Sequence, residues 1–412
     1  MKKVTCLLAV LLTLPLIAAQ AGVQPSGAEF HVGTCVDCQK KTPAAAGAKS
    51  GEFVVVWQGT SPTDSKAALA RFYTKAGVAR GAQVPMGSPL TADQYDAAAA
   101  VDAAGNYILA WSQMAGGNSE IFVQRYTPKL KALGGLVQVS LDDPAAPVTP
   151  LDVFPAVAAT PEGGFAVAWI KSVPPSDTDR IHPVVMYRRF DKNGVALAGQ
   201  IQVNTGLVRG IRPDVCVSNA GQAVVAWTSV DGFRPFQANR KGMSMRRIAK
   251  TGALAGPEVV VAQPKAYDSD GAVSCAPNGN FVVIWHTDEV PATDRMDVIG
   301  QRFTPLGRKT GGAFQVNSGA AGDQRDPAIS HDAAGNFVVV WESRETAGNR
   351  ILGRRFKASG AADGTDFLVH AQGELEQMTD EAEVAHVGAA GEFVVVFQLG
   401  SEDVVGRRYK VN

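Results

Sequence analysis

The chain repeats itself. The run Asn336-Phe337-Val338-Val339-Val340-Trp341 has six counterparts, ending at Trp57, Trp111, Trp169, Trp227, Trp285 and Phe397. Every one of the six tryptophans closes such a run, and the intervals from Trp57 to Phe397 are 54, 58, 58, 58, 56 and 56 residues. A regular period of this length means stacked supersecondary units, none of which can bury its apolar surface alone.

The run dictates what the stacking must do. Phe337, Val339 and Trp341 lie on one face of a strand and Val338 and Val340 on the other. A strand that is apolar on both faces has to be covered on both. In the same unit a short small-residue segment, 327–330, precedes the run, with Asp332-Ala333-Ala334-Gly335 as the turn between them. Strand-like segments 351–356 and 366–370 follow. We call the four segments A, B, C and D. Their brevity and the Gly and Pro residues that bracket them argue against helices. Four short strands in each of seven units predict an all-β, seven-bladed β-propeller of four-stranded blades. The seventh unit stops after its C segment, while 27–33 reads like the D segment Phe314-Gln315-Val316-Asn317. The N-terminal strand is therefore expected to complete the last blade and close the ring.

The first residues read as an address. Lys2 and Lys3, the apolar stretch 7–18 and Ala19-Gln20-Ala21 match a cleavable signal peptide over 1–21, with cleavage near Ala21 and the propeller over 22–412. The expected location is secreted or periplasmic, with no transmembrane segment in the mature chain. Export places the other four cysteines in an oxidising compartment. Cys35 and Cys38 are expected to form a small loop disulfide. Cys216 and Cys275 fall on A strands of successive units, out of register by at least one residue. That offset favours buried thiols, with their pairing left open. Basic and acidic residues balance at 39 each, so there is no general field for nucleic acid.

The unit resembles tandem propeller-type repeats of secreted and surface-attached bacterial proteins, which read G-x-F-V-V-V-W, then R-F, then F-x-V-N. The resemblance is carried by Asp326-Pro327, Gly335 to Trp341, Arg355-Phe356 and Phe314 to Asn317, and it extends over essentially the whole mature chain. It implies a propeller or an adhesive module and no particular chemistry.

An Arg precedes a bulky residue in every C strand, from Arg71 to Arg408. A residue repeated in every unit meets the same surroundings each time, so these are expected to pack between units rather than to bind a ligand. The six histidines lack metal-ligand spacing, and no nucleophilic triad stands out. No metal or cofactor is implied. The two faces of the ring differ. The A–B and C–D turns are short, whereas the B–C loops 171–183, 229–242 and 286–297 and the D–A connections 141–152 and 263–270 are long. Long loops on a rigid scaffold commonly carry binding. The candidate ligand-binding residues are therefore Phe233, Arg234, Phe236, His286 and Asp288. Asp96, Asp270 and Asp326 join them, each fifteen residues before a Trp, where A strands begin at the mouth of the central channel. The favoured reading is a monomeric, non-enzymatic binding or adhesion module for a glycan or cell-surface protein. The alternative is a glycan-active hydrolase or lyase using the channel-mouth carboxylates. A pair of carboxylates, one with its pKa raised by burial, would favour the enzyme.

Overall fold

The computed structural model describes residues 22–33, 40–60, 66–87, 92–115, 118–141, 151–173, 182–205, 209–231, 240–265, 269–288, 295–319, 322–346, 348–371, 379–388, 391–400 and 403–411. The expected signal segment 1–21, Cys35, Cys38, Phe233, Arg234 and Phe236 lie outside them. The described residues form strands and turns without a helix.

The A strands are Lys40–Gly47, Gln94–Val101, Leu151–Ala159, Arg209–Val217, Ser269–Cys275, Asp323–His331 and Thr379–His386. Each packs against the next, and the last packs against the first, so they form a closed inner ring. B, C and D strands step outward from it in antiparallel pairs.

The doubly apolar B strand is the reason for this arrangement. In Phe337–Glu345, Trp341, Val339 and Phe337 pack on Val282, Ile284 and Leu352, while Val338 and Val340 pack on Phe393, Val395 and Phe397. Seven such clusters separate successive repeats. One of them joins Phe53, Val55 and Trp57 of the first repeat to Val394, Val396 and Val404 of the last. The C-strand arginines stitch the rim. Arg125 donates to the Lys192 carbonyl at 2.5 Å, and Arg408 donates to the Lys75 carbonyl at 2.5 Å, across the join between last and first repeats. In the A–B turns, Asp102 and Asp332 accept main-chain N–H groups from Asn106 and Asn336 at 2.8 and 2.9 Å, as self-capping turns do.

The expectation of seven separate four-stranded blades is corrected by the hydrogen-bond ladders. They form six sheets: four of four strands, one of five, and one of eight. Five sheets are thus discrete blades, and the eight-stranded sheet fuses the second and third repeats. The fusion has a local cause. Leu151, where the third A strand begins, bridges in parallel to Ser119 of the preceding C strand, and the Ser119 hydroxyl donates to the Asp152 carbonyl at 2.7 Å. The five-stranded sheet arises because the N-terminal segment contributes two short strands, Val23–Pro25 and Phe30–His31, both paired with Asp403–Val411. Between them Gly27 sits at φ 97°, where a side chain would be strained.

The cysteine expectation is also corrected. Cys216 and Cys275 are joined in a disulfide, with Cα atoms 5.5 Å apart. The one-residue offset that argued against pairing is what permits it. On neighbouring inner strands, a side chain facing forward meets one facing back only when the two differ in parity. The same offset recurs at the next two joints: the His331 N–H donates to Ser274 Oγ at 3.2 Å and the His386 N–H to Ser330 Oγ at 3.1 Å.

Candidate active site in the central channel

Each inner strand breaks its ladder near its start. Register shifts separate Lys41 from Ala44, Arg325 from Ala328 and Asp380 from Glu383, with equivalent shifts in the other four strands. One non-glycine residue per break takes a positive φ: Thr42, Asp96, Phe154, Arg212, Asp270, Asp326 and Glu381, all between 45° and 54°. Proline follows four of them, at Pro43, Pro155, Pro213 and Pro327. Proline has no N–H to lose from a ladder, which suits it to a bulge. Left-handed backbone at non-glycine residues costs about 1–3 kcal/mol each and tends to gather at functional sites.

These side chains ring a central cavity of about 670 Å³, lined by all seven inner strands. Asp96, Asp270 and Asp326 are all on its wall. Asp96 Oδ2 accepts the Ser112 hydroxyl at 3.2 Å and the Phe154 N–H at 3.3 Å, yet burial pushes its carboxyl above the usual range. Asp270 lies 3.3 Å from the Arg212 guanidinium of the neighbouring strand. The Asp326 N–H donates to His286 Nδ1 at 3.3 Å. His286, expected in the long loop 286–297, is instead buried in Phe281–Thr287, because that strand continues past its Trp. Asp288 is half-buried just beyond it.

Deeper in the channel are two carboxyls that the sequence reading missed. Two residues past each bulge stands Ala in five strands, namely Ala44, Ala98, Ala156, Ala272 and Ala328, but Asp214 and Glu383 in the other two. Asp214 accepts the Val215 and Val273 N–H groups at 2.7 and 2.8 Å. Burial still pushes its pKa up to about 6, against the pull of those two donors. Glu383 is surrounded by the channel wall, although its side chain opens onto the lumen. Enclosure, and then repulsion from Asp214 and Glu381, push its pKa up to about 8. At neutral pH Glu383 therefore holds a proton, whereas Asp214 in the same cavity has largely lost its own. Further along the strands, burial keeps the imidazoles of His331 and His386 neutral. Aligning the A strands on the Trp would have exposed Asp214 where Ala otherwise stands, but not Glu383, because the last A–B turn is one residue longer and shifts the count.

Among the described residues, no group of three or more His, Cys, Asp or Glu side chains is placed to hold a metal ion. No helix among them is long and apolar enough to cross a membrane.

No family model and no curated protein matches the chain. Solved structures do. A protein of unknown function from Dyadobacter fermentans has a TM-score of 0.58 at 11% identity, over 95% of this chain and 100% of that one. An ulvan lyase, bound to -[GlcA(1-4)Rha3S]-, has a TM-score of 0.57 at 11% identity, over 93% and 96%. A Hadza microbial sialidase has a TM-score of 0.50 at 10% identity, over 84% and 73%. At such identities the likeness is one of fold, that of an all-β propeller.

Proposed function

We propose that the protein is a glycan-active enzyme that hydrolyses glycosidic bonds in the central channel. One observation carries the reading: a single cavity holds Glu383, protonated up to about pH 8, and Asp214, ionised above about pH 6. Environments that push two carboxyls apart in acidity divide them into an acid and a base form, the division glycoside cleavage uses. Glu383 gives its proton to the departing glycosidic oxygen as the bond to the anomeric carbon breaks. Asp214, held by two main-chain donors, stabilises the positive charge that develops on that carbon. Water then adds to that carbon, giving the hydroxyl of the new reducing end and returning its other proton to the Glu383 carboxylate. Likeness in fold to a polysaccharide lyase and a sialidase adds support.

This reading displaces non-enzymatic adhesion on the long-loop face, because the groups with altered acidity line the channel. Export to a secreted or periplasmic location is part of the proposal and is supported by the Cys216–Cys275 disulfide. The test is release of reducing ends from a panel of polysaccharides, with ultraviolet absorbance of unsaturated products monitored in parallel. Hydrolysis raises the first signal alone. Glu383→Gln should lower kcat by about 10²–10⁴-fold. Full activity in that variant, or elimination products, would defeat the assignment.

A further inference from the structure

The charge of the channel wall speaks to the substrate. We infer that the channel takes saccharides free of anionic groups and holds amino sugars best; this rests on the glycan-active reading above. Among the described residues the lining carries six carboxyl side chains, Asp96, Asp214, Asp270, Asp326, Glu381 and Glu383, and a single permanent cation, Arg212. That guanidinium already lies 3.3 Å from Asp270. The two lining histidines add no charge, since burial keeps them neutral. A uronate, sulfate or sialate therefore meets no unengaged cation among the described residues of the wall. Its charge would face the carboxylates that hold Glu383 protonated.

A second feature of the wall suits a sugar ring. Phe154, one of the seven bulge residues, is 47% exposed although large and apolar, and it borders the cavity. An exposed aromatic face amid a few polar groups is a common arrangement for an amphipathic ligand. The apolar C–H face of a pyranose can lie on Phe154. Its Asp96 neighbour, tied to the Phe154 N–H, offers an acceptor for a hydroxyl or ammonium donor. A protonated amine gains an ion pair there as well as the hydrogen bond, whereas a hydroxyl gains the hydrogen bond alone.

The experiment uses the full chain carrying Glu383→Gln, so that bound saccharide is not consumed. Three pools of oligosaccharides of matched length are titrated by calorimetry: neutral, amino-bearing and uronate-bearing. Amino-bearing chains should bind about tenfold more tightly than neutral ones, and uronates about tenfold more weakly, with the gaps narrowing as salt is raised. Asp96→Asn should weaken amino-bearing chains more than neutral ones and so shrink the amino preference. Phe154→Ala should weaken neutral and amino-bearing pools alike. Uronates binding as well as neutral chains would overturn this inference and leave the proposed activity standing. Failure of all three pools to bind would remove both.

Discussion

A carboxyl kept protonated by its surroundings must make the fold's stability depend on pH. For Glu383 the size can be worked out. Its ordinary pKa is 4.5, and in the channel it is about 8. Between those values the folded state binds a proton that the unfolded chain does not, so stability falls as pH rises through the window. At 1.36 kcal/mol per pH unit the full difference amounts to about 5 kcal/mol. The side chain opens onto the lumen, and water there screens the charge, so the measurable share is about 1–2 kcal/mol. Glu383→Gln carries no charge at any pH. Its stability relative to the parent should therefore be greatest near pH 9, about 1–2 kcal/mol in its favour, and should fade as pH approaches 4.5. Urea denaturation followed by tryptophan fluorescence across that range reads the difference directly. An advantage independent of pH, or largest at acid pH, would mean that Glu383 is not held protonated and that its role as an acid is wrong.

Other perturbations test the frame. Replacing Cys216 and Cys275 together by Ser should cost about 2–4 kcal/mol, seen as a lower Tm, and an unchanged Tm would deny the bond a stabilising role. A chain beginning at Thr42 loses both short strands on Asp403–Val411 and bares an edge, so it should melt earlier and self-associate on size-exclusion chromatography. If it stays monomeric with the parental Tm, those strands do not secure the ring. Trp341→Ala should cost about 3–5 kcal/mol and leave the Gln324 carbonyl without the indole N–H it accepts at 2.7 Å. The kcat/KM profile should be a bell with limbs near pH 6 and pH 8, and a flat profile across that interval would contradict the acid and base assignments.

What could be read from the sequence was whatever depends on burial repeated unit by unit. Val338 and Val340 behind Trp341 announced a strand covered on both sides, and the clusters on either side of it bear that out. Counting back from Trp also brought out Asp96, Asp270 and Asp326, because the A–B hairpin keeps one length in the first six repeats. What could not be read were departures made by single contacts. One bridge, Leu151 to Ser119, merges two repeats into an eight-stranded sheet, and no periodicity encodes it. His286 was misplaced because two further ladder pairs carry its strand past Trp285. The pairing of Cys216 with Cys275 stayed open because aligned repeats suggest aligned partners, whereas facing inner strands pair residues of opposite parity. Glu383 and Asp214 stayed hidden because a lone acid in a strand is unremarkable until the ring sets it on the wall of one cavity with its counterpart.

The bulge ring separates two jobs that most folds force on the same residues. At each bulge the ladder skips a residue, so Thr42, Phe154, Arg212 and Glu381 can differ completely while standing at one structural level. None of the four belongs to the buried residues of the clusters between repeats. A substitution there rewrites the inner face of the channel without touching the stacking that keeps the ring closed. The fold thus holds seven variable letters on a fixed frame, and a descendant with a different set could serve a different ligand on the same scaffold.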